Sequence, residues 1–139
     1  MNTAAESAAQ KAGRITLGAI MVFAGVGHLT FARSEFRAQV PDWVPWPADL
    51  TVLGSGVVEI ALGAAMILLT QRRALVGVLL AAFFVAIFPG NIAQWIHQRD
   101  AFGLDSDQER FIRLFFQPVL IAWALWSTGG WRLLRRRVT

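Results

Sequence analysis

Four stretches of about 20 mostly apolar residues, joined by short polar connections, fill most of this 139-residue chain. Crossing about 30 Å of hydrocarbon takes a helix of that length, and only helices or closed barrels satisfy their backbone there. The stretches run over about 14–31, 49–70, 74–97 and 109–127. They point to one all-α domain over residues 1–139, an integral-membrane four-helix bundle with no separate soluble catalytic domain. Composition agrees: 55% of residues are hydrophobic and 16% charged, against about 25% charged in soluble domains. The first stretch is longer than a signal-peptide core and no A-x-A-like site follows it, so it reads as a retained helix. Residues 1–13 read as a loose or interfacial tail. The chain has no Cys, which excludes disulfides and thiolate chemistry of its own.

A net charge of +4 invites a nucleic-acid reading. The basic residues, however, flank apolar runs instead of lining a polar face, which is how charges orient helices in a bilayer. Nucleic acid is therefore not an expected partner; the lipid bilayer is. Lys11, Arg14, Arg72, Arg73 and the tail arginines Arg132, Arg135, Arg136 and Arg137 fall on one side of the expected topology. Arg33, Arg37, Arg99, Arg110 and Arg113 fall on the other, with seven of the nine acids: Glu35, Asp42, Asp49, Asp100, Asp105, Asp107 and Glu109. The positive-inside rule then places both termini in the cytoplasm.

Residues 32–48 (ARSEFRAQVPDWVPWPA) combine spaced apolar residues with three prolines, which forbid a continuing helix. They read as an amphipathic segment followed by a proline-braced interfacial elbow. Trp43, Trp46 and Trp95 read as anchors at headgroup level.

Ionisable groups inside a bilayer cost roughly 2.5–3.5 kcal/mol each on insertion scales, so each requires a reason. Glu59 lies about ten residues into the second span, roughly 15 Å deep. His28, Asn91 with Gln94, and Arg113 with Gln117 fall at similar depths in the other spans. Gly18, Met21, Gly25 and His28 share one helical stripe, and Gly56, Glu59, Gly63 and Met66 share another. Small residues beside polar ones allow close helix packing. The expected result is a pocket opening away from the termini, lined by His28, Glu59, Asn91, Arg113 and Gln117. Within it a Glu59–Arg113 ion pair is the simplest pairing, with His28 able to share the carboxylate. Pro89, followed by Gly90, and Pro118 are expected to kink their helices, and Pro89 to free the Val85 carbonyl. The same network serves equally well as purely structural glue between helices.

No P-loop, G-x-G-x-x-G, H-E-x-x-H or G-x-S-x-G motif occurs. No catalytic residue and no metal site is expected, since a metal wants three or four converging ligands.

The segments G-H-L-T-F at 27–31, V-P-D-W-V-P at 40–45, S-G-V-V-E-I-A-L-G at 55–63, F-P-G-N-I-A-Q at 88–94 and R-L-F-F-Q-P at 113–118 resemble, in order and spacing, the DoxX and DoxX-like family of small four-helix membrane proteins. The resemblance carries His28, Glu59, Asn91 and Gln117 onto the family's polar motif positions. It implies a protein of the bacterial cytoplasmic membrane. Some family members are subunits of quinone-linked oxidoreductases such as thiosulfate:quinone oxidoreductase, and others belong to oxidative-stress complexes. The expectation is a non-catalytic subunit that holds a small amphipathic, quinone-like molecule beside a redox partner protein. A membrane assembly or scaffold protein is the alternative, and a small proton-coupled transporter the third. Self-association into a homo-oligomer is left open.

Overall fold

The computed structural model describes residues 5–37, 40–97 and 106–138, and throughout these every regular element is helical. In chain order the helices are α1 (Ala8–Leu29), α2 (Arg33–Arg37), α3 (Ala48–Leu68), α4 (Arg73–Ile96), α5 (Asp107–Leu114), α6 (Phe116–Thr128) and α7 (Gly130–Val138), with a 3-10 turn over Thr70–Arg72 between α3 and α4. Four segments are long and apolar enough to cross a membrane: Ala8–Leu29, Ala48–Leu68, Thr70–Ile96 and Phe111–Thr128. Arg99, Asp100 and Asp105, which enter the charge count, lie outside the described residues, as do the side chains of Asp107 and Arg110.

The first helix starts earlier than hydropathy alone indicates. Ser7 caps it: the Ser7 hydroxyl accepts from the Gln10 backbone N–H, and the Gln10 side chain accepts from the Ser7 N–H. This reciprocal box satisfies two otherwise orphaned donors, so the helix begins at Ala8 and residues 8–13 are not a loose tail. Arg14 is correspondingly not an interfacial flank. It is 1% exposed, pairs with Glu6 at 2.7 Å, and donates to the carbonyls of Met66 and Ile67 at the end of α3. Those carbonyls lack partners within their own helix, and a cation there complements the negative end of its dipole.

The fourth crossing is also not one uninterrupted helix. Pro118 has no N–H to offer the Leu114 carbonyl, and regular bonding lapses at Phe115, which bonds Ile112 by a tighter three-residue step. By contrast, α4 continues through Pro89 to Ile96. The arginine-rich tail is a helix too: Gly129 adopts a left-handed conformation (φ 74°) that ends α6, and α7 starts at once.

Packing divides the bundle into two pairs, α1 on α3 and α4 on α6, joined chiefly where α1 lies along α6. The first pair meets almost backbone to backbone. A Cβ on Gly18 would lie 2.8 Å from the Gly63 carbonyl oxygen, and one on Gly25 would lie 2.6 Å from that of Gly56. In the second pair, Gly77 of α4 leaves room for the Thr128 side chain of α6. Leu17, Met21, Met66, Leu80, Phe84 and Ala124 fill the space between the pairs. Large apolar side chains such as Phe23, Val57, Leu79, Val85 and Val119 remain exposed around the outside, as lipid contact requires.

The ends of the bundle differ. At one end lie the start of α1 and the end of α6, tied by the Trp123 indole donating to the Gly13 carbonyl and the Gln10 amide donating to the Trp126 carbonyl, both at 3.0 Å. Glu6, Arg14 and Arg73 cluster there as well. The polar residues of the sequence reading gather toward the other end.

Candidate functional site: a polar cavity between the helix pairs

The glycine contact determines what His28 meets. A Cβ on Gly56 would stand 2.7 Å from the Cβ of His28, so the imidazole is set directly against α3. Its Nδ1 lies 3.1 Å from the Val52 carbonyl and therefore carries the proton, since a carbonyl can only accept. Its Nε2 lies 3.1 Å from Glu59 Oε2, at ion-pair distance but without the directionality of a hydrogen bond. Both side chains are buried. Among the described residues no ion pair joins Glu59 to Arg113, contrary to the simplest sequence pairing. The reason is azimuth: α3 lies mainly against α1, whose stripe carries His28, whereas Arg113 comes from α5 beside α4.

A second polar group sits on the other helix pair. Asn91 Nδ2 donates to Gln117 Oε1 at 3.2 Å, and Gln117 Nε2 donates to the Phe84 carbonyl at 2.7 Å. This chain ties α6 to α4 in the stretch bounded by Pro89 and Pro118. The carbonyl that receives a side-chain donor is that of Phe84, one residue before the Val85 carbonyl that Pro89 was expected to free. Arg113 completes the set; its Nη1 is buried and has no hydrogen-bond partner among the described residues. An unmet buried donor costs about 1–3 kcal/mol, more for a charged group, so such atoms in native proteins mark a place for water or a bound molecule.

All five residues border one cavity of about 650 Å³. Its apolar wall includes Met21, Phe84, Ile87 and Leu120. Pro89 and Gly90 border it as well; Pro118 acts from outside, through the break it imposes on α5 and α6.

The segment between α2 and α3 contributes more than anchoring. Trp43 and Trp46 both border the cavity while remaining 74% and 53% exposed, and the Trp46 indole donates to Thr51 at 2.6 Å. Arg33 and Arg37 tie α2 to the start of α3 through Asp49, and within the segment Asp42 lies 3.5 Å from His97. Trp95 stands apart, its ring 5.3 Å from that of Phe111. Sequence reasoning omits Arg14 from the buried polar groups and half-buried Glu6 as its partner; the Ser7-x-x-Gln10 capping signature was the available signal. Among the described residues, no three His, Asp or Glu side chains gather as a metal site would require.

No curated protein and no solved structure matches the chain. A family model does match, over residues 17–128, a stretch that contains every cavity residue named above. The chain thus belongs to the family described as a domain of unknown function (DUF8561).

Proposed function

We propose that this protein is a multi-pass subunit of the bacterial cytoplasmic membrane that holds a small amphipathic, quinone-like molecule in the cavity between its helix pairs. The observation that carries the reading is the cavity itself: about 650 Å³, with apolar walls and five polar residues contributed by five helices. Ligand pockets of about 300–1,000 Å³ with a few convergent polar groups are the common design for binding small molecules. The excess of basic residues on the termini side favours cytoplasmic termini, which turns the cavity toward the outer face. The proline-rich segment with Trp43 and Trp46 then lies at the outer interface as an elbow over the cavity. The resemblance to the DoxX family supports the same reading.

In this arrangement Arg113, Asn91 or His28 donates to a ligand carbonyl, and Glu59 relays protons. Reducing a quinone to its quinol takes two electrons and two protons. A chain without Cys has no thiol to pass electrons, so a partner protein supplies them.

The test is to purify the full chain in mild detergent, extract and identify co-purifying lipids by mass spectrometry, and titrate a short-tailed benzoquinone. Saturable binding that weakens at least about tenfold in Glu59→Gln or Asn91→Leu, with the fold intact, is the expected result; tenfold corresponds to one lost interaction of about 1.4 kcal/mol. The absence of both co-purifying quinone and saturable binding would refute the proposal.

One observation favours a second reading. The Asn91–Gln117–Phe84 chain closes on itself, as a structural tie does. If the cavity polar groups only assemble the helices, Glu59→Gln and Arg113→Leu will change folded yield and nothing else.

A further inference from the structure

The C-terminal helix α7 lies outside the residues that match the family model and at the opposite end of the bundle from the cavity. Its sequence, GWRLLRRRV, sorts cleanly by helical angle. Arg132, Arg135 and Arg136 stand at i, i+3 and i+4 and form one face. Trp131, Leu134 and Val138 stand at i, i+3 and i+7 and form an adjoining edge. Gly130 faces inward against the Ala74 carbonyl and Val78, which fixes the start of α7 on α4. The apolar edge is not buried by this docking: Trp131, Leu134 and Val138 are 36%, 43% and 87% exposed. Among the described residues no carboxylate pairs with Arg132, Arg136 or Arg137. Arg132 and Arg135 each place a guanidinium carbon within 5.4 Å of the Trp131 ring centre. Lys11 and Arg72 stand exposed at the same end of the bundle.

A purely soluble polyanion would account for the arginines and leave the exposed Trp–Leu–Val edge without a partner. A bilayer surface accounts for both. Its acyl boundary takes up the apolar edge of an interfacial helix, and its phosphates meet the basic face. We propose that α7 lies in the membrane interface and binds the headgroups of anionic phospholipids through the Arg132–Arg135–Arg136 face, with the apolar edge seated among the acyl chains. This role is independent of whatever occupies the cavity.

The full chain reconstituted in phosphatidylcholine vesicles provides the assay, with spin-labelled phosphatidylglycerol and spin-labelled phosphatidylcholine as competing probes. Wild type is expected to associate preferentially with the phosphatidylglycerol label. Arg132→Gln/Arg136→Gln should reduce that preference by up to about fivefold per residue, the scale of one basic side chain at an anionic surface. Arg132→Lys/Arg136→Lys should retain most of it. Because the attraction is electrostatic, the wild-type preference should also fade with added salt as the screening length shortens, a readout that needs no variant. Equal association of the two labels with wild type, or an undiminished preference in the folded double Gln variant, overturns the proposal. Equal losses from Arg132→Gln, Arg136→Gln and the off-face Arg137→Gln would show that net charge alone acts and overturn the assignment to this face. Loss of the preference on adding inorganic phosphate at constant ionic strength would assign the arginines to a free anion and also overturn it.

Discussion

Replacing Gly56 with Ala tests the packing that creates the His28–Glu59 contact. The added methyl would stand 2.7 Å from the His28 Cβ and 2.9 Å from the Gly25 carbonyl oxygen. Neither neighbour is the end of a flexible side chain. Carbon atoms settle no closer than about 3.5 Å, so α1 and α3 must part by roughly 0.8 Å. Overpacking of this kind costs about 1–3 kcal/mol. Ala also favours a helix over Gly by about 1 kcal/mol, which partly masks the loss. Gly54 on the same helix supplies the correction, because a Cβ there meets nothing within 4 Å. Gly54→Ala therefore gains the propensity term alone, and the difference between the two variants isolates the packing cost. The assay is reversible unfolding in mixed micelles, with Gly56→Ala expected about 1–3 kcal/mol below Gly54→Ala. The widened gap also carries His28 and Glu59 beyond the 3.1 Å at which they now meet, detectable as altered imidazole resonances in Gly56→Ala only. Equal stability of the two variants would refute the backbone-to-backbone account of how α1 and α3 are held.

Two further expectations rest on other contacts. The Arg14 hydrogen bond, reinforced by the charges of Arg14, Arg73 and Lys11, outweighs burial and holds the Glu6 carboxyl below its ordinary value of 4.5. Folding thus favours the ionised form: the stabilisation is complete above 4.5 and disappears as pH falls through the lowered folded-state value. Unfolding midpoints measured against pH should fall on acidification in wild type and fall less in Glu6→Gln. Gln117→Leu should cost about 1–3 kcal/mol in the same unfolding assay, because it strips the Phe84 carbonyl of its side-chain donor and Asn91 of its acceptor. Adding Asn91→Leu should cost less than the sum of the two single changes, since they share one network.

What could be read from the sequence follows from which quantities a linear pattern encodes. Length and apolarity fix the existence of the crossings, and helical spacing fixes which residues share a stripe. The grouping of His28 with Gly18 and Gly25, and of Glu59 with Gly56 and Gly63, was visible in that way. Depth along a helix is legible too, and depth alone matches Glu59 with Arg113. Azimuth between helices is not encoded by either quantity. Glu59 meets His28 because facing glycines let α1 and α3 touch, and only the packed bundle shows which stripes face each other. Arg14 misled for a related reason. A basic residue beside an apolar run ordinarily belongs to the interface, yet a capped extra turn and a carboxylate eight residues earlier draw this one inside. At Pro118 the prolyl ring foretold a disturbance, and the lapse falls at Phe115, next to the Leu114 carbonyl that loses its donor.

The two halves of the bundle differ in how they can yield. Where α1 and α3 touch, backbone carbonyls of Gly25, Gly56, Gly18 and Gly63 stand in the contact, and a carbonyl cannot rotate away as a side chain does. Across the cavity the wall is carried by α4, which runs on through Pro89, and by α5 and α6, whose ladder lapses at Phe115; two amides join α4 to α6. Room to enlarge the chamber therefore lies on the side of α5 and α6, where the helical ladder already lapses.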